Sequence, residues 1–158
     1  MKPKDVNNLL FNPQWTSKLL HYFISGTKNT KNQGLKFEII YYVLPFIFDD
    51  VIFNKLVGAN SKSTINTLFK SAELKNRLIP INKRVEAFKI ITNQAIIYLG
   101  NKNNLTLGSF IELDKTIHYR NEDNAIIKKY VKAAYNLGVI ISKENYIIFF
   151  TKINIESK

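Results

Sequence analysis

The stretch NQAIIYLGNKNNLTLGSFIEL, Asn93–Leu113, decides how the chain reads. Two apolar runs of strand length, Ala95–Leu99 and Leu105–Leu107, flank the polar tip Gly100–Asn104. Apolar runs joined by Gly/Asn turn chemistry predict a β-hairpin, Ala95–Leu99 out and Leu105–Leu107 back. The segment before it places Val85, Phe88, Thr92 and Ala95 at helical spacing, with Asn82 as the expected N-cap.

Outward from there, the apolar periodicity is mostly helical. Asn12-Pro13 fits a cap followed by proline in the first turn, and Trp15, Leu19 and Phe23 recur at i+4 beside Leu20 and Ile24. Gly26 is the expected stop, and the polar TKNTKNQG after it reads as a loop. The run LKFEIIYYVLPFIF fits a buried strand or a buried helix by pattern alone. Pro45 opposes a central strand, so a buried helix kinked near Pro45 is expected. A short helix follows in DDVIFNKLV, then a second from Ser63, with Ile65, Leu68, Phe69 and Ala72 in helical register. Past the hairpin and the linker IELDKTIHYRNED, a long helix should start near Glu122. Ile127, Val131, Ala134, Gly138 and Ile141 line one face. A glycine inside a helix costs about 1 kcal/mol against alanine, so Gly138 implies a closely packed neighbour. The final NYIIFFTKI reads as a closing strand. The predicted fold is α+β and mostly helical. It is winged-helix-like, with a β-hairpin wing, a long C-terminal helix and a closing strand. One compact domain over 1–158 is expected, with a helical part at about 9–60, a winged-helix-like part at about 61–113, and the helix plus strand at about 122–153.

Composition narrows the function classes. The 158 residues are 46% hydrophobic and 22% charged, which is a globular balance. The net charge of +11 and pI near 9.7 favour an anionic partner: nucleic acid, lipid or an acidic protein surface. No cysteine is present, which removes disulfides, thiolate nucleophiles and cysteine-ligated zinc. The longest apolar run, Ile39–Phe48, is too short for a bilayer, and the first residues lack a signal-peptide core; a cytoplasmic protein is expected.

Reactive motifs are sparse. His21 and His118 lack metal-site spacing and read as ordinary, partly buried histidines. The six glycines form neither a P-loop nor a dinucleotide fingerprint. A Glu-x-Lys nuclease signature occurs once, at Glu73–Lys75. It falls in a predicted helix, where the two side chains diverge. Asp49-Asp50 reads as a turn or a helix start. No catalytic residue, cofactor or metal is expected.

The apolar signatures FNPQW (Phe11–Trp15), YYVLPFIF (Tyr41–Phe48) and AAYNLGVIIS followed by YIIFFTKIN span the chain from about Leu9 to Ile153. With this element order they resemble the middle component of three-component ABC systems, bacterial conflict operons. The small subunit of Lamassu anti-phage defence is similar. The resemblance implies a non-catalytic adaptor between an SMC-like or ABC-type ATPase and an effector, commonly a nuclease. Double-stranded DNA is a further expected partner, met without sequence preference through Lys75, Arg77, Lys83, Arg84, Lys89 and Lys102. The rival class is a free-standing transcription regulator using the Asn82 helix for recognition. That helix also carries Glu86 and has few side chains suited to bidentate base reading.

Overall fold

Asn12 and Pro13 open the first helix of the computed structural model, which describes residue 8 and residues 11–28, 35–102 and 105–153. Most of the expected TKNTKNQG loop and the Asn103-Asn104 tip lie outside the described residues. Helix α1 (Pro13–Thr27) has its first turn satisfied by the Asn12 carboxamide, which accepts from the Gln14 N–H at 3.0 Å. Trp15, Leu19, Leu20, Phe23 and Ile24 are all buried, as their spacing predicts. Gly26 does not end the helix; it lies within the last turn, where it serves packing.

The partner of that glycine is on α7 (Ala125–Ser142). A Cβ built on Gly26 would run into the Tyr135 carbonyl, and one on Gly138 into the Phe23 carbonyl. The two helices therefore touch backbone to backbone, and Gly138 has the close neighbour its cost implied. The cap of α7 is Asn124, two residues beyond the expected Glu122. Its side chain accepts from Ile126 and Ile127 N–H at 3.0 and 3.1 Å. Glu122 instead takes Lys18 of α1 at 2.7 Å, tying the start of α7 to α1. Val131, Ala134, Gly138 and Ile141 are buried.

The ambiguous LKFEIIYYVLPFIF run divides in three. Leu35–Lys36 is strand β1, Phe37–Tyr42 is a 3₁₀ turn, and Val43–Ile47 is helix α2. Pro45 is the third residue of α2, where no intrahelical N–H is needed. Its ring would clash with the Tyr41 carbonyl of a continuous α-helix, which accounts for the tighter turn upstream. Helix α3 (Asp50–Val57) follows, capped by Asp49. The single helix expected from Ser63 is two short ones, α4 (Ile65–Leu68) and α5 (Ala72–Asn76). The Ser71 hydroxyl accepts from Leu74 N–H at 3.2 Å and so starts a new helix, leaving Ala72 exposed.

Helix α6 (Ile81–Lys102) corrects the expected hairpin. The Pro80 carbonyl, not an Asn82 cap, accepts the first bond, from Arg84 N–H at 3.1 Å. Ala95–Leu99 is helical, because Thr92, Ala95, Ile96 and Leu99 continue the i, i+3, i+4, i+7 core face. Gly100 does not interrupt it. A hairpin does follow, one run later: β2 (Leu105–Leu107) and β3 (Phe110–Leu113), turning over Gly108-Ser109. β1 joins from the other side, giving an antiparallel sheet in the order β1-β3-β2. Leu35 pairs with Ile111, and Leu105 with Leu113.

The expected closing strand is also a helix, α8 (Tyr146–Ile153). Phe149 and Ile153 are buried one turn apart, and the Asn145 side chain accepts from Ile147 N–H at 2.8 Å. Tyr42 meets Phe149 and Phe150 edge-on at 5.5 and 5.9 Å, an arrangement that a strand's alternation would not allow. The described chain is thus α+β and mostly helical, with one small sheet.

The linker before α7 is tied to α1. His21 Nε2 donates to the Lys115 carbonyl at 2.9 Å, and Ile117 N–H donates to Ser25 Oγ at 3.0 Å. Arg120 N–H donates to His118 Nδ1 at 3.1 Å, and the His118 ring lies against Tyr119 and Tyr135. Burial lowers the pKa of both histidines below 6.5, helped at His118 by the Arg120 charge and opposed at His21 by the bond to Lys115.

Two tests follow from this packing. Gly138→Ala should destabilise by about 2 kcal/mol or more, because backbone must move to admit the methyl group and the helix-propensity gain is only about 1 kcal/mol. Gly100→Ala, where a Cβ meets nothing within 4 Å, should instead stabilise by about 0.5–1 kcal/mol. Thermal denaturation of the two variants distinguishes them by sign. For the histidines, the unfolded chain binds more protons below 6.5, so their contribution is whole above that value and is lost as pH falls through the lowered folded pKa. The melting temperature should drop from about pH 7.5 to about pH 5, and His21→Gln with His118→Asn should shallow that drop.

Candidate interaction surface

The six cations expected to meet DNA are placed by α5, the turn after it, and α6. Lys75, Lys83, Lys89 and Lys102 are exposed. Arg77 and Arg84 are not free in the same sense. Arg77 Nε lies 2.9 Å and Arg84 Nη1 3.0 Å from Asp49 Oδ2. The Asp49 side chain is only 6% exposed, against 43% for Arg77 and 23% for Arg84. Its Oδ1 also accepts from Val51 and Ile52 N–H, both at 3.0 Å. One carboxylate therefore caps α3 and ties it to the turn after α5 and to the first turn of α6. Burial lowers the Arg84 pKa and the neighbouring Arg77 charge adds to this, while Asp49 opposes both.

Asp49 was legible as a turn or a helix start and no more. Its arginine partners lie 28 and 35 residues away, a separation that sequence spacing does not reveal. Lys102 closes the row over the Tyr98 ring, 5.9 Å from its centroid. The Glu73–Lys75 triplet, whose side chains are expected to diverge, lies in α5. Leu74 is buried while Glu73 and Lys75 point to solvent on either side of it, so the two do not converge.

Between the lysines the outer face of α6 is apolar in two places. Ile90 is 72% and Ile97 65% exposed. Seven residues apart, they fall within about 20° of each other around the helix. They face away from Ile81, Thr92, Ala95 and Leu99, which occupy the core side. Sequence reading missed this pair, although the seven-residue interval was visible once Ala95–Leu99 is taken as helix.

Elsewhere, a recess of about 350 Å³ is bordered by Thr27, Lys36, Lys143, Glu144 and Tyr146. Its charged groups are engaged: Lys143 donates to the Ser61 and Ser63 carbonyls, Glu144 binds Lys152 at 2.9 Å, and Lys36 lies over Phe110 and Tyr146. Among the described residues, no group of three or more His, Cys, Asp or Glu could hold a metal ion. Nor is any described helix long and apolar enough to cross a membrane.

The ABC-three component (ABC-3C) system Middle Component 3 family matches residues 2–155. The chain belongs to that family. No curated protein and no solved structure matches it. The long α6 helix of this middle component thus carries exposed lysines and two bare isoleucines, and at its start Arg84, with Arg77 before it, is paired to a buried aspartate.

Asp49 should accordingly matter to stability more than to binding. Asp49→Ala removes the cap and strands two arginines, at a cost of about 2–4 kcal/mol. Asp49→Asn keeps the cap and should cost less, while Lys83→Glu on the open face should cost almost nothing. Urea denaturation of the three variants checks that order.

Proposed function

We propose that this middle component is a non-catalytic adaptor of a bacterial anti-phage or anti-plasmid defence complex. It bridges an SMC-like or ABC-type ATPase and an effector, an arrangement akin to the small subunit of Lamassu systems. The family match over residues 2–155 carries this reading, because a middle component works with the other components of its system. The chemistry of the surface supports it. Exposed lysines and isoleucines on α6 are side chains suited to holding a partner. The α6 helix with its β2–β3 hairpin serves as the winged-helix-like part of the adaptor.

DNA contact through the six cations is the weaker use of this surface. Arg77 and Arg84, the side chains able to make bidentate contacts, are held by Asp49. The remaining lysines could meet phosphate without sequence preference, each adding about 0.9 to the salt slope. Ile90 and Ile97 in their midst would gain nothing from phosphate.

Co-expression with the other components of its system and affinity purification test the adaptor role. The chain should co-purify stoichiometrically with the ATPase and the effector. Elution alone as a monomer, with every component present, would overturn it. Purified by itself, the chain should hydrolyse neither ATP nor DNA with Mg²⁺. An activity that co-elutes with it and disappears in Glu73→Ala would make it an enzyme.

A further inference from the structure

From the outer face of α6 we infer that this helix is the docking strip for an acidic amphipathic helix of another component. The inference rests on the adaptor reading and names the partner's chemistry. Lys83, Ala87, Ile90, Gln94, Ile97 and Asn101 are all exposed. Their intervals alternate four and three, which lays them in one stripe along the axis. That is the seam along which a second helix packs at a shallow crossing angle. The stripe runs about 27 Å at 1.5 Å per residue. Between Lys83 and Lys102, α6 contains no proline to kink it.

Charge selects the occupant. Lys83 lies in the stripe at its N-terminal end, Lys89 and Lys102 lie on its two sides about 120° and 100° round the helix from Lys83, and Glu86, the single acid of α6, lies at the stripe's edge about 60° from Lys83. A facing helix with apolar residues on its seam and Asp or Glu on its flanks meets both features. A second copy of this chain does not: it brings the same lysines to the same stripe, and each copy carries +11. Duplex DNA does not either, since its phosphates would leave Ile90 and Ile97 without contacts.

The test uses the complex assembled by co-expression of all components. Ile90→Glu and Ile97→Glu sit on an open helix face, so the chain should keep its melting temperature. Each should weaken retention of the docked component by about tenfold or more. Lys83→Gln with Lys89→Gln should weaken it less and flatten its salt dependence. A photo-reactive benzoylphenylalanine at Gln94 should cross-link to an acid-rich helical segment of another component. Several results would overturn the inference. One is full retention of both isoleucine variants in a complex that the wild-type chain forms, which leaves the adaptor role standing. Another is cross-linking to a second copy with a dimer mass by light scattering. Cross-linking to DNA or to nothing would overturn it equally. Failure of the wild-type chain itself to co-purify would sink the adaptor reading first.

Discussion

Two glycines, one on α1 and one on α7, each pressed against the backbone of the opposite helix, set the close approach on which the core depends. Side chains ordinarily hold helix axes about 8–10 Å apart. At Gly26 and Gly138 that layer is missing, and each glycine lies against a carbonyl of the opposite helix. Such contact is available only where no Cβ intervenes, and it favours weak Cα–H···O bonding between backbones. With α1 and α7 so placed, Phe23, Leu19, Val131 and Ala134 become fully buried. Lys18 and Glu122 close the other end of the same pair. The linker before α7 then folds back onto α1 through His21 and Ser25. Intrahelical glycine costs helix propensity at both positions, a cost offset by packing that any larger residue would prevent.

A second constraint decides how the positive charge is used. Asp49 is the buried acid around which α3, the turn after α5 and the start of α6 converge. A buried carboxylate needs hydrogen-bond donors and counter-charge, and here it has two backbone N–H groups and two guanidinium groups. Arg77 and Arg84 are thereby tied into the architecture, Arg84 the more deeply of the two. The positive field left on α6 belongs to lysines, which are compact charges on flexible stems and suit steering toward an acidic surface. A formal charge of +11 is silent about this division.

Helix–strand ambiguity falls where apolar residues are continuous. Ala95–Leu99 and Tyr146–Ile153 have strand length and strand composition, and periodicity alone does not separate a buried helix from a buried strand there. What separates them is the neighbour. Ala95, Ile96 and Leu99 extend a core face already begun at Thr92, while Phe149 and Ile153 are buried one turn apart and Phe149 meets Tyr42. The short β1 strand escapes sequence reading for the same reason. Leu35–Lys36 opens a run whose pattern fits strand and helix alike, and these two residues are a strand because β3 offers an edge at Phe110 and Ile111.

By itself the sequence determined what is local. The Asn12-Pro13 start, the apolar stripes of α1 and α7 and the need for a close neighbour at Gly138 follow from side-chain chemistry and spacing within one element, and the family was legible as a resemblance carried by the whole pattern. Tertiary structure alone decided which residue meets which across the chain. It placed Gly26 against the Tyr135 carbonyl and Gly138 against that of Phe23, put Asp49 between two arginines 28 and 35 residues away, and turned Ile90 and Ile97 outward from an α6 longer than its pattern suggested. The physical reason is that burial and ion pairing depend on distance in space. Periodicity records only which face a residue occupies, not what lies opposite.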